Sequence, residues 1–296
     1  MVSPTSSGQW NQQEASPSLA LGTFFRQGTQ DTDEFIINPA YDQHLTDHSG
    51  TRWFIPKRTL RDRRGDVPGK DISIRISSIS DPREALLSGY TISSGERPLQ
   101  TRAFFSIQAG LSPHNYQITQ PVIVSHAERL KTNGLWSIYT ANPSNIISNH
   151  QNGMLSWKKL NQGISPFKFG RKKSMELSIP ATGVYALAQQ LPARLSQTML
   201  TVRAYGLPVS LDHARAFLLL DTTFPPIQLH QTAPLDFTGF NLPSGRAAWL
   251  LVVGNREEQF FYGLHRLSAL YNRVESIALR PIPPKQLREV IQNILL

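Results

Sequence analysis

The chain has 296 residues, a formal net charge of +9, only 17% charged residues, and 19 glycines with 21 prolines. Many turns and modest apolar content suit strand-rich architecture and disfavour helical classes, and the length suits two domains that each bury a core. The absence of cysteine excludes disulfides, thiolate zinc sites, iron–sulfur clusters and a thiol nucleophile. No run approaches the roughly 18 apolar residues of a membrane-spanning helix.

Residues 1–30 are rich in Ser, Gln, Thr and Gly, and read as a flexible arm that cannot bury enough to offset the entropy of ordering. The start has no basic stretch ahead of an apolar core, so no signal peptide is expected in the sequence given. An extracytoplasmic location is expected if a leader was removed, and a cytoplasmic one otherwise.

From Glu34 the pattern becomes that of strands. Phe35–Ile37 and Arg52–Ile55 are short apolar runs bounded by turn residues, and 71–77 alternates apolar and polar positions with period two. Further strands are expected at 104–109, 122–125, 135–139, 154–158, 175–179 and 184–188. A second series follows Pro192, at 199–205, 214–220, 237–240, 248–253, 260–264 and 274–279. The prolines at 281, 283 and 284 then introduce Leu287, Val290, Ile291, Ile294 and Leu295 at helical spacing, which predicts a short amphipathic C-terminal helix. The reading is a mostly β chain of two consecutive antiparallel sandwiches, 31–192 and an immunoglobulin-like 193–281, followed by a helical 282–296.

The run Phe35-Ile-Ile-Asn-Pro-Ala40, then Ser49-Gly-Thr-Arg-Trp-Phe-Ile-Pro56, a turn at Gly65, and Gly69-Lys-Asp-Ile-Ser-Ile-Arg-Ile76 resembles the opening of β-sandwich domains in Bacteroidota envelope proteins. The likeness continues through 81–89, 94–101, 104–109 and Met154-Leu-Ser-Trp-Lys158. Thr182-Gly-Val-Tyr-Ala-Leu187 is similar to the closing strand of the sandwich in zonula-occludens proteins and netrin receptors. Phe237-Thr-Gly-Phe-Asn-Leu-Pro-Ser-Gly245 with Trp249 resembles a turn of carboxypeptidase-regulatory-like, immunoglobulin-like modules. These resemblances imply a non-catalytic structural or protein-binding module in a bacterial cell-envelope assembly, with a protein partner. The chain lacks the lipoprotein cysteine common in the envelope family and the His-Phe-Ser tripeptide at which some zonula-occludens-type members cut themselves, so self-cleavage is not expected.

Candidate chemistry is sparse. His44 and His48, beside Asp42 and Asp47, could ligate zinc as a helical pair, but Thr46, Ser49 and Gly50 predict a solvated turn. Asp62, Asp66 and Asp71 around Gly65 and Gly69 invite a calcium reading, but Arg61, Arg63 and Arg64 interleave and a mixed-charge turn fits better. No nucleophile elbow, phosphate-cradling loop or dinucleotide fingerprint is present, so no catalytic residue, metal or cofactor is expected, a hydrolase with dispersed groups being the lesser alternative. Two basic clusters remain, at 57–64 and at Phe167, Lys168, Phe169, Arg171, Lys172 and Lys173. The second, expected on a long loop, pairs cations with aromatics and could hold an anionic polymer such as cell-wall glycan, lipopolysaccharide or nucleic acid. Its plain reading is a solvated loop, while Trp249 and the aromatics of 259–263 read as core.

Overall fold

The computed structural model describes residues 17–26, 32–93, 99–110, 116–126, 136–141, 157–160, 164–169, 172–191, 197–206 and 211–296. The protein is mostly β, as its alternating runs require, and its described residues form four main sheets and three short helices.

Sheet I runs in the order β1 (Asp33–Ile37), β5 (Ile72–Ile79), β7 (Leu99–Ala109), β14 (Gly183–Gln190), β10 (Ser137–Ala141), β11 (Trp157–Lys159). Facing it, sheet II runs β12 (Ile164–Phe169), β13 (Lys172–Ile179), β9 (Val122–His126), β3 (Arg52–Ile55), β2 (Gln43–Thr46). Trp53, Val122, Val124, Leu177 and Ile179 of sheet II pack against Ile74, Ile76, Phe105, Ile107 and Leu187 of sheet I. A small ribbon pairs β4 (Leu60–Arg61) with β8 (Gln117–Ile118).

Sheet III runs β18 (His230–Ala233), β19 (Asp236–Pro243), β15 (Gln197–Tyr205), β22 (Arg273–Ala278). Sheet IV runs β23 (Arg280–Ile282), β21 (Gln259–Leu267), β20 (Ala248–Arg256), β16 (His213–Leu219), β17 (Ile227–Gln228), β6 (Ile92–Ser93). Pairing is antiparallel except β15 with β22 and β17 with β6, both parallel. β6 is thus an element of the earlier half of the chain lying in a sheet otherwise built from the later half.

Two sheets are buried on both faces. Along β14, Tyr185 and Leu187 point into the sheet I–sheet II core, while Val184, Ala186 and Ala188 join a second cluster that continues through Ile92, Phe224 and Ile227 into the space between sheets III and IV. Such two-sided burial is what an unbroken apolar run such as Val184–Ala188 accommodates. The outer face of sheet IV, through Phe217, Leu251, Val253 and Phe260, is covered by α1 (Pro17–Arg26), α2 (Pro82–Leu87) and α3 (Pro284–Gln292).

α3 is the expected C-terminal helix, and it lies on its own molecule through Leu287, Ile291 and Ile294. α1 corrects the flexible-arm reading. Leu21, Phe24 and Phe25, at i, i+3 and i+4, form an apolar stripe buried on sheet IV, with Phe24 5.3 Å from Phe260 and Phe25 5.2 Å from Phe217 between ring centroids. Three such burials, at about 1.5–3 kcal/mol each, hold a helix too short to persist alone. The rest of the expected arm, 1–16 and 27–30, lies outside the described residues. α2, not anticipated from sequence, starts at Pro82 behind Asp81, whose carboxylate accepts the Arg83 backbone N–H at 2.7 Å.

Candidate binding surfaces

The basic segment expected on a loop is a β-hairpin. β12 and β13 pair Phe167 with Ser174, Lys168 with Lys173, and Phe169 with Lys172, and among the described residues β9 pairs with β13 from Val122 and Ile179 to His126 and Met175. The alternation of Met175, Leu177 and Ile179 into the core carries β13 out to this tip. Arg171 lies outside the described residues. β12 is an edge strand of sheet II, and β11, with exposed Lys158 and Lys159, is an edge strand of sheet I.

The metal candidates disperse. His44 stands on β2, 4.8 Å from the Phe54 ring, and His48 bonds Asp33 at 2.9 Å from the following turn. Asp62 closes its own turn, accepting the backbone N–H groups of Arg64 at 2.8 Å and Asp66 at 3.0 Å. Those backbone bonds, Asp66 first, hold its carboxyl below the usual range. Among the described residues no group of three metal-ligating side chains converges.

Asp47, between β2 and β3, enters the sequence reading only as a neighbour of the histidine pair, which leaves its role unread. Its carboxylate is buried and accepts four hydrogen bonds: from Ser49 Oγ at 2.7 Å, the Thr51 N–H at 3.0 Å, Trp53 Nε1 at 3.0 Å and Ser78 Oγ at 2.7 Å. Ser78 belongs to sheet I, so the network ties the two sheets together. Thr51 Oγ1 lies 2.9 Å from His126 Nδ1, whose ring meets Phe105 edge-on at 5.5 Å. Burial pushes the His126 pKa down, with the Asp47 charge opposing. Acid, hydroxyls and imidazole are therefore close, but the carboxylate engages hydroxyls and an indole, and the hydroxyl facing the imidazole belongs to buried Thr51. This is the wiring of a cross-sheet clamp rather than of a base-activated nucleophile. The signal was present in Asp47-His-Ser-Gly-Thr51, a turn whose acid and hydroxyls can bond their own backbone.

A small recess lies between Ile79, Phe104, Phe224 and Pro225, with room for about one water molecule.

Sheet III supplies a different kind of surface. β15 alternates cleanly: Thr198, Leu200, Val202 and Ala204 are buried, and Met199 and Tyr205 stand 44% and 55% exposed on the other face. Opposite Met199, β19 has a bulge. Thr198 pairs with Leu242 and Leu200 with Gly239, so Phe240 and Asn241 together face one residue, with Asn241 at φ 56°. Asparagine tolerates that conformation, and the bulge sets Phe240 on the outer surface beside Met199. On the other flank Val274 pairs with Thr201 and is also exposed. Asn272 fixes this register by accepting from the Met199 N–H and Thr198 Oγ1, both at 2.7 Å, and brings exposed Tyr271 to the same end of the sheet. Among the described residues, five of the eight large apolar or aromatic side chains that stand exposed belong to this region. The outer face of sheet II carries Arg52, His44, Thr46 and Ser125 together with half-buried Phe54 and Ile123.

Compared with models of protein families and with curated protein sequences, the chain matches none of either. Among the described residues no helix is long and apolar enough to cross a membrane.

Proposed function

We propose that this chain is a non-catalytic module that presents the outer face of sheet III to a protein partner. The observation that carries the reading is the exposed group Met199, Phe240, Tyr271 and Val274, with Tyr205 further along β15. Methionine and aromatic side chains are the residue types enriched in interface cores, and here a bulge in β19 and the hydrogen bonds of Asn272 to β15 hold them on paired strands. The inward, mutually bonded Asp47 network supports a structural rather than catalytic use of its acid, hydroxyls and imidazole. The sequence resemblance to Bacteroidota envelope sandwiches supports placing the partner in an envelope assembly.

The test is affinity capture from the native source with the wild-type chain, with Met199→Asp/Val274→Asp, and with a hairpin variant, Lys168→Glu/Lys172→Glu/Lys173→Glu. A protein retained at high salt by the wild type and the hairpin variant, and reduced about tenfold or more by the sheet III variant, is the expected result. Equal retention by all three would remove the face from consideration.

A further inference from the structure

We propose that the partner of the sheet III face is a second copy of this chain, packed face to face on it about a two-fold axis that runs along the strands between β15 and β19. The proposal rests on the sheet III reading above and names its occupant.

The register makes this face self-complementary. The strand order is β18, β19, β15, β22, so β19 and β15 are the central pair, and direct cross-strand partners on them share a face. Arg203 pairs with Asp236 and Thr201 with Thr238, on the side where Met199 and Tyr205 stand outward. An axis lying in the contact plane midway between these two strands exchanges β15 of one copy with β19 of the other at the same level along the strands. It sets each Arg203 over Asp236 of the second copy, each Thr201 over Thr238, and Met199 toward Phe240 at the bulge. The flanking strands exchange in the same way. Val274 pairs with Thr201 and His230 with Thr238, so β22 of one copy meets β18 of the other at that level. The strands of the two sheets then lie nearly aligned, one of the two ways in which sheets pack face to face.

Charge points to the same occupant. Each chain carries a net charge of +9, so two copies repel unless the surfaces that meet are themselves balanced. On this face the central strands offer one cation, exposed Arg203, and one anion, half-buried Asp236, and among the described residues neither is in an ion pair within the chain. On β22, Arg273 and Glu275 pair with each other. A partner recognised by its charge would select a face of one sign; a face of paired opposite signs, at equal height on the two strands beside the axis, suits its own copy.

The area sets the strength. Four strands ~4.8 Å apart and nearly the full length of β15, at ~3.4 Å a residue, make roughly 500 Å² a copy. The two copies together bury about 1,000 Å², the threshold of a specific interface, so the dimer is weak and concentration-dependent.

The experiment is sedimentation velocity of the full chain over a micromolar concentration series, with Arg203→Asp, Asp236→Arg, the double swap Arg203→Asp/Asp236→Arg, and an equimolar mixture of the two single variants, all checked for an unchanged thermal transition. The wild type is expected to pass from monomer to dimer as concentration rises. Each single variant sets like charges against one another across the axis and is expected to associate at least about tenfold more weakly; the double swap and the mixture are expected to regain association. A wild type that stays monomeric, single variants that associate as the wild type does, or a mixture that does not re-associate overturns the proposal. A monomeric wild type that still captures a different protein through Met199 and Val274 overturns the second copy as occupant and leaves the sheet III reading standing. A dimer that Met199→Asp/Val274→Asp leaves intact lies on another surface and overturns it as well.

Discussion

Asp47 ties sheet II to sheet I through its hydrogen bonds from Trp53 and Ser78. Removing a buried carboxylate that accepts four hydrogen bonds leaves its neutral donors unmatched, at a cost of about 1–3 kcal/mol for each that water does not reach. Asp47→Ala is therefore expected to lower the urea midpoint strongly with little change in m; a loss under about 1 kcal/mol would show that water replaces the carboxylate. His126 adds a pH dependence of definite sign. Its pKa in the folded state lies below the unfolded value, so the unfolded chain binds the extra proton more readily. Its contribution is complete above the unfolded value, near 6.5, and is lost as pH falls through that value toward the depressed folded one. Stability measured from pH 7.5 to 5 is expected to fall in the wild type and to fall less in His126→Gln. Parallel curves would show that other groups set the slope.

The helices and sheet edges show how elements from distant parts of the chain fit together. Arg83 of α2 donates to Gln292 O at 3.1 Å and Ile294 O at 3.2 Å, satisfying carbonyls at the end of α3, and Arg288 of α3 donates to Phe24 O of α1 at 2.9 Å while lying over the Phe24 ring. Arg83→Ala is expected to cost about 1–2 kcal/mol, read as faster amide exchange at the end of α3. At Gly263, a Cβ would stand 2.7 Å from Ile277 Cγ1 and 2.8 Å from Ala278 O, where β22 crosses toward sheet IV. Because one of those atoms is backbone, Gly263→Val is expected to cost about 1–3 kcal/mol in thermal unfolding, and an unchanged transition would mean that β22 yields freely.

Which of these elements could be read in advance follows the physics of their signals. Strands with one buried face, such as β3 and β15, and the first half of β5 announce themselves by alternation. β14, β16 and β20 appear as apolar runs, and that they are covered on both faces is a property of the assembled layers rather than of the run. The short strand β17 and the edge strands β2 and β18 carry little periodic signal, and β12 was masked by its Gly170–Lys173 continuation, which reads as loop. α1 hid in a Ser- and Gln-rich segment because its stripe is only three residues wide and gains stability from a sheet built about 200 residues later. The sheet III face depends on a bulge, which no pattern of residue types marks on its own.

At the scale of the molecule, one apolar cluster runs from sheet I through Ile92, Phe224 and Ile227 into the space between sheets III and IV. A shared core couples unfolding of the regions on either side of it. A single cooperative transition is expected, coincident by tryptophan fluorescence and far-ultraviolet circular dichroism. Two resolved transitions would mean that this junction separates before its neighbours do. Rigidity of that kind suits a module whose contacts lie on strand faces, since the outer face of sheet III then keeps its geometry without a partner.

The central claim is that this face is where a protein partner binds, and the most direct measurement is hydrogen–deuterium exchange of the full chain with and without the partner recovered by high-salt capture. Protection concentrated in β15, β19 and β22, around Met199, Phe240 and Val274, is the expected result. Protection confined to the β12–β13 hairpin, or spread over the helical layer on sheet IV with sheet III unchanged, would contradict it.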